Sequence, residues 1–240
     1  MENTPSCLDL VQAALRAEAN QQDTVSKARF FQATEGGYGG KDQFLGIPVP
    51  VQRRIARRFV ASATAEDIRL LLRSPYHEER LTALLMLNDK FRQARRKHQE
   101  EPWVRIYLEE MAYVNNWDLV DSSAHILIGE WLLDKRDRSL LYRLAASSSL
   151  WENRIAVIAA GRFIREGDYE DLLRLCTQFL AHPHPLMHKA CGWMLRELWK
   201  RNPLVVEDFL NDHLSDMPRT MLRYTIEKMP EAERKAYLQH

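Results

Sequence analysis

An all-α solenoid of helical repeats is the fold class this sequence predicts, and three observations predict it. Apolar residues recur at three- and four-residue spacings along almost all of the 240 residues, the period of a helix with one buried face. Alternating polar and apolar runs, the mark of half-buried strands, are scarce. One pattern of residues also returns at intervals of a few tens of positions, the mark of stacked structural units.

Composition sets the frame for these elements. Charged residues make up 28% of the chain and hydrophobic ones 45%, which supports a packed core and excludes a disordered chain. A single domain spanning residues 1–240 is expected, since this length can bury a substantial core. The opening MENTPSCLDL has no basic stretch followed by an apolar one, so no secretory signal is expected. No apolar run approaches the ~20 residues that cross a bilayer, and no membrane partner is expected. Cys7, Cys176 and Cys191 are odd in number and far apart. They suit a reducing, bacterial-type cytosol or nucleoid and suggest neither a disulfide framework nor a zinc site. The net charge of +1 is no argument for nucleic acid, but its distribution is uneven. Arg53, Arg54, Arg57 and Arg58 are basic, as is 92–97; acidic residues gather at Glu100, Glu101, Glu109, Glu110 and 168–171. A neutral total can hide a basic groove opposite an acidic back.

Along the chain, Thr64 with Asp67 is a capping-type start for a helix continuing through Ile68, Leu71 and Leu72. Tyr107, Leu108 and Met111 mark another helix, and Leu172, Leu175, Phe179 and Leu180 a further one. Breaks fall at Pro75, Pro102, 134–137, Gly167, 183–185, Pro203, Pro218 and Pro230. The result is about a dozen helices of about 10–18 residues joined by short turns. One segment departs from this pattern. Glu35 to Asp42 holds Gly36, Gly37, Gly39 and Gly40, four of the nine glycines. At about 1 kcal/mol per interior glycine it cannot hold a helix. A loop or tight hairpin with Tyr38 at its tip is expected, either a plain connector or a ligand contact beside the basic helix.

The repeat is seen by comparing HEERLTALLML, WDLVDSSAHIL, LWENRIAVIAAGRF and PLMHKACGWMLREL. Aligned by apolar pattern, they place Arg80, Asp121, Arg154 and Lys189 at equivalent positions, 41, 33 and 35 residues apart. Such a period means one HEAT-like helix pair per unit, and stacking brings the aligned positions onto one concave stripe. Helical spacing extends that stripe: Trp117, Asp121 and His125 form an i, i+4, i+8 line, Arg162 follows Arg154 by two turns, and Trp193 and Arg196 follow Lys189. A core helix would place leucine or valine at such positions. The stripe is therefore a candidate binding face, with a structural network as the plainer alternative.

Guanidinium forks suit phosphates, and indole faces attract cations and pack on sugar or base. One carboxylate among phosphate-binding cations would repel nucleic acid unless it has a task. Cleavage of an N-glycosidic bond supplies one, because its transition state resembles an oxocarbenium ion that a carboxylate stabilises.

The segments FLGIPVPVQRR (44–54), NNWDLVDSS (115–123), LWENRIAVI (150–158) and HKACGWMLRELWKRNP (188–203) carry a resemblance to the AlkD-type DNA alkylation repair proteins, from about Phe30 to the last helices. Matched residue by residue, the resemblance implies that Trp117, Asp121, Arg154 and Trp193 are active-site residues. It implies a monofunctional DNA glycosylase, without a cofactor, acting as a monomer on cationic N3- and N7-alkylated purines in duplex DNA. Such proteins cup the duplex and do not flip the lesion into a pocket. Asp121 would stabilise the cationic sugar and orient water. Trp117 and Trp193 would pack on the deoxyribose and lesion, and Arg154 would hold a phosphate. Arg53, Arg54, Arg80, Arg162, Lys189, Arg196 and Tyr38 are the expected DNA contacts. Phe30 stands where the best-known members have tyrosine, and the Tyr38 loop is an addition relative to the shortest members.

Several other residues carry a functional and a structural reading. His125 after Asp121 invites a general-base role, against that of a satisfied structural partner. His182, His184 and His188 have metal-like spacing but are split by prolines, and no metal is expected. Lys189 is a phosphate contact before it is a Schiff-base amine. Trp103, Trp131 and Trp199 are expected in the core, and Cys191 as a small buried filler. Two further classes stay open: a non-catalytic HEAT-repeat binder of damaged or branched DNA, and a scaffold for protein partners.

Overall fold

A computed structural model describes residues 5–239. Among them run fourteen α-helices: α1 (Cys7–Ala17), α2 (Gln21–Phe30), α3 (Val49–Phe59), α4 (Ala65–Leu72), α5 (His77–Arg95), α6 (Glu101–Glu109), α7 (Trp117–Ala124), α8 (Ser139–Ala145), α9 (Leu150–Ala160), α10 (Glu170–Gln178), α11 (Pro185–Trp199), α12 (Pro203–His213), α13 (Arg219–Thr225) and α14 (Glu231–Leu238). Two short 3-10 segments, Met111–Tyr113 and Gly161–Glu166, and one π-helical segment, His125–Glu130, interrupt the series. No β-strand forms among the described residues; one isolated parallel bridge joins Gln43 to Tyr76. The all-helical fold class is therefore as expected.

Helix starts follow local chemistry. Pro50, Pro102, Pro185 and Pro203 sit in first turns, where the missing N–H has no intrahelical partner to lose. Pro218 and Pro230 stand just before α13 and α14. Reciprocal capping boxes open α1, through Ser6 and Asp9, and α4, through Thr64 and Asp67.

The chain divides into two compact units, Met1–Ser123 and Ala124–His240. In the first, α4 and α3 pack on α5, and α1 closes on all three, around fully buried Val11, Leu15, Ile68, Leu71, Leu72, Leu84, Leu87 and Phe91. In the second, α9 is central: Asn153 through Ala160 are all buried, covered by α8, α10, α11 and the π-helical segment, while α13 packs on α11. No helix among the described residues is long and apolar enough to cross a membrane.

The four aligned positions fall at matching places in their helices. Asp121, Arg154 and Lys189 are each the fifth residue, of α7, α9 and α11, and Arg80 is the fourth of α5. That one-residue offset is within the play of helix boundaries.

Candidate functional site

The start of α7 is held by a buried asparagine. Asn116 is fully buried; its side-chain carbonyl accepts from Trp117 N at 2.8 Å and its amide donates to Phe31 O at 3.3 Å. The α7 entry is thereby tied to the end of α2, and Trp117 is set on an aromatic bed. Its ring stacks on Phe31 at 5.4 Å and 26°, and Phe30 meets it edge-on at 5.7 Å and 74°. Such pairs contribute about 0.5–1.5 kcal/mol beyond area burial. Phe31 is buried, whereas Phe30 is 65% exposed. A half-buried indole thus carries an exposed phenyl edge, a surface onto which a planar or cationic group can pack.

Beneath this bed lies a buried ionic group. The ring of His77 touches Phe31 at 4.6 Å and Phe44 at 5.1 Å. Its Nδ1 lies 3.0 Å from Asp42 and its Nε2 2.8 Å from Asp118. Arg80 pairs with the same Asp42 oxygen and donates to Ser74 O at 2.9 Å. The neighbouring Glu78, also buried, accepts from the backbone N–H groups of Leu45, Gly46 and Ile47. This fixes the FLGI segment ahead of α3.

Asp121 lies one turn beyond Trp117 on α7 and is half-buried. Behind it the fully buried Tyr107 hydroxyl is 3.1 Å from Ser123 Oγ. Burial, opposed by that hydrogen bond and reinforced by the Asp121 charge, pushes the phenol above its ordinary range. Tyr107 therefore keeps its proton beside the carboxylate.

In the second unit, Arg154 on α9 is only 4% exposed and donates to Leu186 O at 2.6 Å. Lys189 and Trp193 on α11 are half-buried. Arg162 pairs with Glu166 at 3.0 Å, and Arg196 pairs with Glu227. On α3 of the first unit, Arg53, Arg54, Arg57 and Arg58 are all exposed, with Arg54 2.7 Å from Glu18.

Several expectations are corrected. Arg80 does not stand on an open stripe: it is 3% exposed and committed to Asp42 and Ser74, so a buried charge pair occupies what alignment suggested was a DNA contact. His125 and Arg162 lie where the α-helical runs that carry Asp121 and Arg154 give way. Helix α7 ends at Ala124 and α9 at Ala160, after which the backbone opens to a π form and tightens to a 3-10 form, which change the angle per residue. Tyr38 is half-buried and engaged with the protein instead of standing at an exposed tip. The cause is close approach: Gly39 N donates to Gln32 O at 3.0 Å, and a Cβ at Gly39 would lie 2.3 Å from Phe31 O. Trp103, Trp131 and Trp199 are half-buried instead of core; Lys90 covers the first at 5.6 Å and Lys135 the second at 5.0 Å. Cys191 is fully buried. The ring nitrogens of His182 and His184 accept backbone N–H groups at 3.0 and 3.1 Å.

Sequence reasoning missed His77, Asp42, Asp118 and Phe31. His77 and Asp118 lie inside the very repeats that were aligned. However, they face contacts made across loops, and helical periodicity carries no signal for those.

Comparison with known proteins bears on this arrangement. Residues 11–229 match the family model described as DNA alkylation repair enzyme. No curated protein sequence matches the chain. A solved structure described as a predicted DNA alkylation repair enzyme from Enterococcus faecalis is similar in fold, with a TM-score of 0.70 at 16% identity, covering 89% of this chain and 98% of that one. With the family model spanning nearly the whole sequence, the chain belongs to the DNA alkylation repair enzyme family.

Proposed function

We propose that the protein is a monofunctional DNA glycosylase that hydrolyses the N-glycosidic bond of cationic N3- and N7-alkylated purines in duplex DNA, without flipping the base. The observation that carries this reading is the placement of Asp121 one turn beyond Trp117, on a helix whose entry bears the Phe30–Trp117 aromatic surface.

The chemistry asks little of a general acid. The alkylated base is already positively charged, so it leaves as a neutral purine when the C1′–N bond breaks and takes the bonding pair with it. Positive charge passes to the sugar, where Asp121 stabilises it electrostatically. Water then adds to C1′ and loses its proton, and Asp121 is the carboxylate placed to orient it. The products are an abasic site and the free base. The exposed Phe30 edge and the Trp117 face suit a cationic lesion or the apolar face of a deoxyribose. By family correspondence, Trp193 packs on the sugar, while Lys189, Arg162, Arg196, Arg53 and Arg54 hold the backbone; Arg154, buried and bonded to Leu186 O, would have to turn outward to take a phosphate. Phe30 lacks a hydroxyl, so its contribution is packing alone.

The test is release of 7-methylguanine or 3-methyladenine from methylated duplex DNA. Release by the wild type with loss in Asp121→Asn is expected. No release by the wild type, or equal release by the variant, sinks the glycosylase and leaves a non-catalytic binder of damaged or branched DNA.

A further inference from the structure

One group in the first unit has no part in the chemistry above yet sits directly beneath its aromatic surface. His77 opens α5 and is 2% exposed. Both of its ring nitrogens face carboxylate oxygens, Asp42 at 3.0 Å and Asp118 at 2.8 Å. A carboxylate only accepts, so satisfying both requires an N–H on each ring nitrogen, which only the imidazolium has. Charge balance agrees. Asp42 and Asp118 carry two negative charges; Arg80, which also faces Asp42, supplies one positive, and a charged His77 makes the group neutral. A neutral ring would leave one buried negative charge uncompensated, with a nitrogen lone pair turned toward a carboxylate, a costly arrangement.

The two carboxylates belong to different parts of the unit. Asp42 closes the glycine-rich segment and also accepts from Asn115 Nδ2 at 3.4 Å. Asp118 lies in the first turn of α7, where it also accepts from Leu119 N at 2.9 Å, next to Trp117. The ring itself contacts Phe31, on which Trp117 stacks.

We propose that His77 is a positioning residue: as an imidazolium bridging Asp42 and Asp118, it fastens the start of α7, and with it Trp117, to the glycine-rich segment. Protonation of a buried ring then sets the aromatic surface above it. Burial is the largest single influence on the ring and works against the charged form, but the hydrogen bonds the ring donates to Asp118 and Asp42 outweigh it, so His77 holds its proton above the ordinary histidine range. On deprotonation one of the two joints opens, and Asp42, which keeps Arg80 and Asn115 as donors, is the partner better able to do without the ring. The functional meaning of this device rests on Trp117 belonging to the substrate site; the device itself does not.

Nitrogen NMR of the full chain with labelled histidine reads the protonation state directly. A fluorotryptophan label, with the Trp117 resonance assigned from Trp117→Phe, reads the surface. Both ring nitrogens of His77 are expected to carry protons at pH 7, with a midpoint above about 6.5, and the Trp117 resonance is expected to shift with that same midpoint. Asp118→Asn should lower the midpoint, and His77→Gln should abolish the Trp117 step. A His77 ring with one bare nitrogen at pH 7 overturns the proposal. So does a Trp117 resonance that stays flat through the His77 titration, whatever the stability of the variants. Base release is scored separately: coupling without release keeps this inference and removes the glycosylase, and release without coupling does the reverse.

Discussion

The surroundings of Trp117 and those of Trp193 differ in what their charged residues are bonded to. Around Trp117 the ionic groups are internal: Asp42, His77 and Arg80 expose 5% or less of their side chains, and the indole rests on Phe31. Around Trp193 the arginines reach surface carboxylates. Arg196 pairs with Glu227, whose side chain is 44% exposed, and Arg162 with Glu166, 52% exposed. Breaking a buried pair by removing one partner costs about 3–5 kcal/mol, whereas an exposed pair contributes about 0–1 kcal/mol. Hence the first region is built to keep one geometry, whereas the pairs of the second can open at little cost. Arg154 stands apart in the second unit, 4% exposed and fixed on Leu186 O.

The sharpest way to break this comparison is at Asp121. Asp121→Asn should reduce base release by about 100-fold or more, with affinity for duplex DNA little changed; no Arg162 or Arg196 variant should match that loss. Next come the tryptophans. Trp117→Ala should lower stability by roughly 1–3 kcal/mol because it removes the cover of Phe31, measured by denaturant unfolding. Trp193→Ala should lower it less, and an equal loss would deny that the first region is the more tightly built. Gly192→Ala tests the packing beside Trp193. A Cβ there would stand 2.5 Å from Met221 O and 2.6 Å from Tyr224 Cβ, so about 1–3 kcal/mol of destabilisation is expected, localised by hydrogen exchange to α11 and α13.

Smaller effects separate the regions by salt and by pH. If Arg162 and Arg196 exchange their carboxylates for phosphates, neutralising either one should lower the slope of log affinity against log salt by about 0.9. Arg80→Gln should leave that slope unchanged. The histidines of the two units should respond to pH with opposite sign. His77 has a raised pKa, so its contribution is full below the unfolded value of about 6.5 and fades as pH rises through the folded one. His182 and His184 are lowered, first by burial and then by neighbouring histidines. Their contribution is full above about 6.5 and fades as pH falls. Hydrogen exchange corrected for intrinsic rate should show residues 39–43 and the start of α7 loosening toward alkaline pH, and the start of α11 loosening toward acid.

Much of the fold was legible because its signals are local. The Thr64–Asp67 cap, the proline-marked helix starts and the equivalent fifth positions of Asp121, Arg154 and Lys189 all follow from spacings within one helix. The site was legible in part. Trp117 and Asp121 share a helix, so spacing alone relates them. Arg80 was misplaced because alignment fixes a residue's place along a helix but not what its guanidinium meets. That depended on Asp42, 38 residues earlier.

The sequence by itself determined an all-helical chain, its repeat register and the chemical types placed at the aligned positions, because hydrophobic period and capping act over a few residues. Tertiary structure decided which charged groups are buried together, and so why His77, Asp42, Asp118 and Arg80 form one neutral cluster beneath Trp117. The physical reason is that charge burial depends on partners brought in from α5, α7 and a glycine-rich segment, and no local period encodes their meeting.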